Sequence, residues 1–214
     1  MHTGWLDFVR LRNFDNFAED MLTADEIPNI VATMRRAWPV DDASLAKIIG
    51  KLTPCSFGKR ELLVREGVAA GNAYFIETGM TRSYWVVDGE EITTSFSTEG
   101  TLVFSMDEMY YRTLSEEYVE AVEPISAYAI DVNALLDAVS SDIGLCNWWR
   151  VIHQNEYRRI HRSHKERLTL PARERYAEFA AQFPDVCRRA RLTDIASYLG
   201  VTPATLSRIR RIKS

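Results

Sequence analysis

Along the chain the spacing of apolar positions changes twice, and the changes divide it into three stretches. Residues 1 to about 53 carry apolar side chains at helical steps, most clearly in "MLTADEIPNIVATMRRAWPVDDASLAKIIGKL". Pro28 and Pro39 are expected to break this stretch, and Asp41–Asp42 place carboxylates where a helix start favours them. From Phe57 to about Asp131 short runs rich in Val, Ile, Phe, Tyr, Trp and Thr alternate with glycines at turn-like intervals. In "TRSYWVVDGEEITTSF" two β-prone runs meet at Asp88-Gly89, a strong hairpin signal. Short strands at this spacing predict a sandwich or barrel-like roll instead of βαβ units.

After Asp131 the helical period returns. "DVNALLDAVSS" is a short amphipathic piece, and residues 142–168 continue without an internal proline. A helix of ~25 residues spans ~38 Å, more than one small domain needs. Its apolar stripe, Leu145, Trp149, Ile152 and Ile160 with Trp148 alongside, thins into a polar second half. That pattern suits a helix that packs on the roll and pairs with a second copy, or one that connects two units. Pro171 opens a further helix, "PARERYAEFAAQF", and Pro184 is expected to close it.

The last stretch, "LTDIASYLGVTPATLSRIRRIKS", reads as two short helices around a tight turn. Thr193 or Asp194 is suited to cap the first helix, and Ala196 is small where the second would cross. Gly200 stands where the turn requires positive φ, and Thr202-Pro203 is a cap followed by proline at the first helical position. Ile195, Leu199, Val201, Leu206 and Ile209 supply the apolar contacts. Together these are the demands of a helix-turn-helix, whose second helix enters the DNA major groove. Thr202, Pro203, Ala204, Thr205, Ser207, Arg208, Arg210 and Arg211 are the candidate DNA-binding residues. Arg208 is the candidate base reader, because a guanidinium bridges guanine O6 and N7. Ser207 reaches a base edge or a phosphate, and Pro203, Ala204 and Thr205 offer surfaces suited to a thymine methyl. Arg210, Arg211 and Lys213 suit phosphates.

Charge supports a division of labour. From Trp148 onward 15 Lys+Arg stand against 6 Asp+Glu, a net of +9, whereas the first 147 residues carry 11 against 24, a net of −13. A basic rear third suits a polyanion, although a solvated helix surface would look the same. Of the 214 residues 46% are hydrophobic and 26% charged, ordinary for a globular protein, and no apolar run is long enough to span a membrane. The N-terminus lacks the apolar stretch of a signal peptide, and Cys55, Cys146 and Cys187 are too few and too scattered for a disulfide framework or a four-thiolate site. The expected location is cytoplasmic, with buried or inert thiols.

Enzyme chemistry finds little to stand on. No histidine lies between His2 and His153, so a cupin-type metal site inside the roll has no ligands. His161 and His164 lack a third ligand nearby, Glu90-Glu91 reads as surface charge at a hairpin tip, and no nucleophile motif, P-loop or dinucleotide fingerprint occurs. No catalytic residue, metal or cofactor is expected. Met106, Met109, Tyr110 and Tyr111 read as core or as the lining of a pocket.

The order of roll, long helix and terminal helix-turn-helix, with "IASYLGVTPATLSR" at its end, resembles the Crp–Fnr family of transcription regulators, and most closely its Bacteroidetes-type subgroup. The resemblance covers roughly residues 45 to 212 and includes "FGKRELLVREGVAAGNAYFIETGMTRSYWVVDGEEITTSFSTEG", similar to the family's cyclic-nucleotide-binding-type roll. It implies an α+β fold: a β-roll over 41–141, a dimerisation helix over 142–168 and a DNA-binding domain over 169–214, preceded by a helical N-terminal extension over 1–40 that rests on the apolar spacing alone. It further implies a homodimer on double-stranded DNA, with half-sites about 34–36 Å apart, a spacing known for motifs that include the family's founder.

Three departures qualify it. The family holds the nucleotide with a Gly-Glu-Leu turn and an Arg-Ser or Arg-Thr pair. Phe104-Ser105-Met106 and Glu116-Glu117 stand in those places, so a carboxylate faces the phosphate site and tight cyclic AMP binding is not expected. Arg112 is near enough to substitute, and these six residues form the candidate effector pocket, the effector itself being unidentified. Ala204 stands where the recognition helix often has Glu, so the operator should differ. The winged hairpin that usually follows is expected to be missing, since the sequence ends at Ser214. The alternative is a ligand-sensing or protein-binding module whose terminal hairpin does not touch DNA; an iron–sulfur sensor would need more cysteines than these three.

Overall fold

The computed structural model describes residues 22–211, so the first half of the expected N-terminal extension and Lys213 lie outside the described residues. A 3-10 turn (Ala24–Glu26) and two α-helices precede the strands among the described residues: α1 (Pro28–Ala37) and α2 (Asp42–Ile49). Pro28 starts α1 instead of breaking it, since proline at the first position loses no intrahelical bond. Asp41 caps α2 by accepting from the Ser44 amide at 2.7 Å, as its carboxylates led us to expect.

Eight strands follow: β1 (Thr53–Phe57), β2 (Leu62–Val64), β3 (Asn72–Thr78), β4 (Thr81–Val87), β5 (Glu90–Ser97), β6 (Leu102–Val103), β7 (Tyr118–Ala121) and β8 (Ile125–Asp131). They form two four-stranded antiparallel sheets, ordered β1-β8-β3-β6 and β2-β7-β4-β5. This is the expected roll. Val87 pairs with Glu90 around Asp88 (φ 52) and Gly89 (φ 81), a two-residue hairpin turn of the kind that matches strand twist. Leu63, Tyr74, Ile76, Val119, Ile125 and Ala127 fill the space between the sheets.

The outer face of the first sheet is covered as well. Phe75 and Ile130 pack with Ile30 and Met34 of α1, Leu45 and Ile48 of α2, and Leu135, Leu145 and Trp148. For that reason β3 is buried continuously from Ala73 to Glu77 instead of alternating. Helix α3 (Val132–Ser141) leads into α4 (Ile143–Thr169), the long helix expected over 142–168. Asp142 caps α4 and also binds Lys47 at 2.6 Å, an interaction that pulls its carboxyl down to about 2.

Four helices complete the described chain: α5 (Ala172–Gln182), α6 (Pro184–Arg189), α7 (Leu192–Leu199) and α8 (Pro203–Arg211). Pro184 does not merely close α5; it opens the short α6, which the sequence pattern missed because six residues are too few for a legible period. Tyr176, Phe179, Val186, Ile195, Ala196, Leu199 and Leu206 form this unit's core, and Met80, Val122 and Phe96 of the roll join it. Among the described residues no helix is long and apolar enough to cross a membrane.

Candidate functional site

Two regions carry the candidate chemistry, and the first is the pair α7–α8. Gly200 ends α7 at φ 65, ψ 42, the left-handed conformation that the turn demands. Thr202 then caps α8, its hydroxyl accepting from the Thr205 amide at 3.1 Å, and Pro203 opens the helix. Leu206 is buried and Ile209 half-buried against α7 and α5. The geometry therefore turns Thr202, Pro203, Ala204, Arg208 and Arg211 outward, whereas Thr205, Ser207 and Arg210 are half-buried at the flanks.

The start of α7 departs from expectation. Neither Thr193 nor Asp194 caps it; Arg191 occupies the cap position and no side chain closes the helix end. Asp194 is instead buried and paired with Arg191 at 2.7 Å and with Arg82 at 3.7 Å. Arg82, on β4, is 1% exposed and also binds Glu91 at 2.6 Å, Glu120 at 3.1 Å and the Thr93 hydroxyl at 2.9 Å. So Glu91 is not idle surface charge at the hairpin: the Arg82 hydrogen bond holds its carboxyl below its ordinary range, against the opposing effect of burial. Ser197 of α7 donates to the Glu91 carbonyl at 2.8 Å and accepts from the Thr93 amide at 2.9 Å, which closes the edge of β5.

The second region is the segment between β6 and β7. Asp107–Tyr111 makes one wide helical turn, ended by Arg112 in the left-handed conformation at φ 58. The six candidate pocket residues do not converge on one cavity. Phe104 stacks on Trp149 of α4, with centroids 5.8 Å apart. Ser105 is buried, its hydroxyl accepting from the Glu108 amide at 3.3 Å, and Met106 points to solvent. Arg112 turns to Asn133, donating at 2.7 Å, and lines a cleft of about 220 Å³ with Ala69, Gly71, Glu108, Thr113, Leu114 and Val132. Glu116 is exposed, and its amide donates to Asp107 at 2.9 Å. Glu117 is half-buried; desolvation, and then the charge of Asp107, push its carboxyl up to about 7.

Of the methionines and tyrosines there, only Met109 is core. Tyr110 shares a 2.6 Å hydrogen bond with His153 Nε2, while His153 Nδ1 lies 2.8 Å from the Trp149 carbonyl. The carbonyl can only accept, so Nδ1 carries a proton, and in the neutral ring Nε2 accepts from the tyrosine. This tie between the segment and α4 has no local sequence signal. Of the thiols, Cys55 and Cys187 are half-buried and Cys146 is exposed on α4. Burial pushes the Cys55 thiol up to about 11.

Residues 54–142 match the cyclic nucleotide-binding domain family. That match ends where α4 begins. Solved structures extend the likeness to most of the chain. FixK2 from Bradyrhizobium japonicum is 24% identical, with a TM-score of 0.64 over 75% of this chain and 83% of its own. The c-di-GMP-responsive global regulator CLP of Xanthomonas campestris is 14% identical, with a TM-score of 0.67 over 81% and 92%. A chain described as a transcriptional regulator of the Crp/Fnr family, from Eubacterium rectale, is 15% identical, with a TM-score of 0.65 over 83% and 87%. A comparison with curated proteins finds no match. The likenesses establish a shared fold: a cyclic nucleotide-binding-type roll, a long helix and a helical C-terminal unit.

Proposed function

We propose that the chain is a cytoplasmic, sequence-specific DNA-binding transcription regulator, that it works as a homodimer paired along α4, and that its cyclic nucleotide-binding-type roll does not bind cyclic AMP tightly. The observation that carries this reading is α8: a capped helix behind a left-handed glycine turn, its apolar side packed on α7 and its exposed side bearing Arg208 and Arg211. Arg208 reads a base and Arg211 holds a phosphate. Charge supports the part about cyclic AMP. Asp107 lies close enough for its charge to raise the Glu117 pKa, and the nearby Arg112 guanidinium is turned to Asn133 instead.

Selection of DNA from a random pool at fixed salt, with Arg208→Ala in parallel, tests the first part. An enriched inverted repeat is expected, and the variant should lose about 1–3 kcal/mol and relax specificity at one position. Equal loss on cognate and random DNA would remove the base-reading role. Calorimetry with cyclic AMP should give no micromolar binding. A protein-binding module is the second reading, favoured by the way the roll covers α7. Absence of any enriched sequence would turn the argument toward it.

A further inference from the structure

The contact between roll and helix-turn-helix unit has an inner and an outer layer of charge. In the inner layer Arg82, Glu120 and Asp194 expose 1%, 5% and 4% of their side chains. In the outer layer Arg189, 23% exposed, donates to Glu99 at 2.6 Å and, through Nε, to Glu123 at 3.0 Å; those carboxylates are 33% and 32% exposed. Arg191, 40% exposed, donates to Asp194 at 2.7 Å and reaches Glu120 at 3.2 Å. Three arginines thus meet five carboxylates, Glu91 included, and the surplus is negative. Water reaches the outer pairs, so they exchange partners readily, whereas the inner cluster is held by burial.

Arg189 and Arg191 also flank the start of α7. In a helix-turn-helix the first helix crosses the DNA backbone. We infer that Arg189 and Arg191 are phosphate-binding residues of the DNA surface, and that Glu99, Glu123 and Glu120 of the roll act as internal stand-ins for phosphate that hold them until DNA competes. The inference rests on the DNA-binding reading above and adds what that reading lacked: a use for the acidic roll. The roll's carboxylates lower affinity for arbitrary DNA, because each arginine must give up the carboxylates it already holds to meet a phosphate. Part of the basic character of the rear third is spent inside the molecule, and only a site that also engages α8 repays its release.

The test uses the full chain and a labelled random-sequence duplex, titrated at several salt concentrations. Glu99→Gln with Glu123→Gln keeps side-chain shape and leaves the inner cluster intact. It should raise random-duplex affinity roughly three- to tenfold and steepen the salt dependence by about 0.9 in log–log slope, the release expected for one further phosphate contact. Adding Arg189→Gln should abolish both gains. Unchanged affinity and slope in the double variant, with wild-type protein that does bind DNA, would overturn the inference alone, as would a gain that survives Arg189→Gln. Failure of wild-type and variant alike to bind any duplex would overturn the DNA-binding reading and this inference with it. Hydrogen exchange on the wild-type chain reads the same event without substitution. Segments 97–100 and 122–124 should exchange faster with DNA bound, and no change there would count against the stand-in role.

Discussion

Single residues at the roll's margins make sharp demands. Gly100 has φ +80, and a Cβ there would lie 2.7 Å from the Asn29 carbonyl and closer still to Thr33 on α1. Gly67 has a similar φ of +75 with nothing within 4 Å. Gly67→Ala should therefore cost only the conformational strain, ~1 kcal/mol, whereas Gly100→Ala adds a clash with helix backbone and should cost ~3 kcal/mol or more. Thermal melts of the two variants compare them directly. Glu117 tests the electrostatics. Its folded pKa of about 7 lies above the ordinary 4.5, so the native state binds the extra proton between those values and stability falls as pH rises through that window. Glu117→Gln should stabilise the chain by ~2–3 kcal/mol at pH 8 and do little at pH 4, as urea melts at the two pH values would show. It should not create cyclic AMP binding, because removing a carboxylate does not supply a guanidinium.

At the scale of elements the long helix is the informative case. Its first half is spent within the protomer, where Leu145 and Trp148 are buried and Trp149 meets Phe104. Its second half leaves Tyr157, Ile160 and Leu168 at 72%, 53% and 73% exposure, and with His164 they recur at steps of three and four residues. Such a seam is what a paired helix presents. For the proposed dimer, Ile160→Glu should weaken self-association by roughly 2–4 kcal/mol, visible as a shift toward monomer mass in sedimentation, with the helical signal unchanged. The elements themselves were legible where the signal is local: Asp88-Gly89 for the hairpin, Gly200 and Thr202-Pro203 for the turn, and the period of residues 142–168 for α4. What escaped is carried by pairs distant in sequence. Buried Glu77 accepts from the Asn29 and Ile30 amides at 3.0 and 3.1 Å and so caps α1 from strand β3. No local pattern announces a cap 48 residues away. The arrangement of the pocket residues escaped for a related reason: likeness to a nucleotide turn drew attention to the segment, but the aromatic ties to α4 decide where its side chains go.

For the whole molecule the decisive object is Arg82, because the roll and the C-terminal helical unit both close on it. Its guanidinium lies over the Tyr84 ring, 4.5 Å from the centroid, and meets carboxylates from β5, β7 and α7. The same interface carries apolar contacts, with Phe96 packed against Phe179 and Tyr198. Contacts of this kind make two folded units melt as one. Replacing Arg82 with Met keeps much of the volume but leaves Glu120 and Asp194 buried with only the half-exposed Arg191 between them. Breaking such a cluster by removing one partner costs about 3–5 kcal/mol. The loss falls on the junction, so calorimetry should show the single transition of the wild-type chain separating into two, the lower one belonging to the helical unit. Asp194→Asn in the Arg82→Met background should restore part of the loss, since it removes one stranded charge. A variant that melted in one step at a lowered temperature would mean that Arg82 stabilises the roll itself, and the coupling of the two units would then rest on Phe96 and its neighbours.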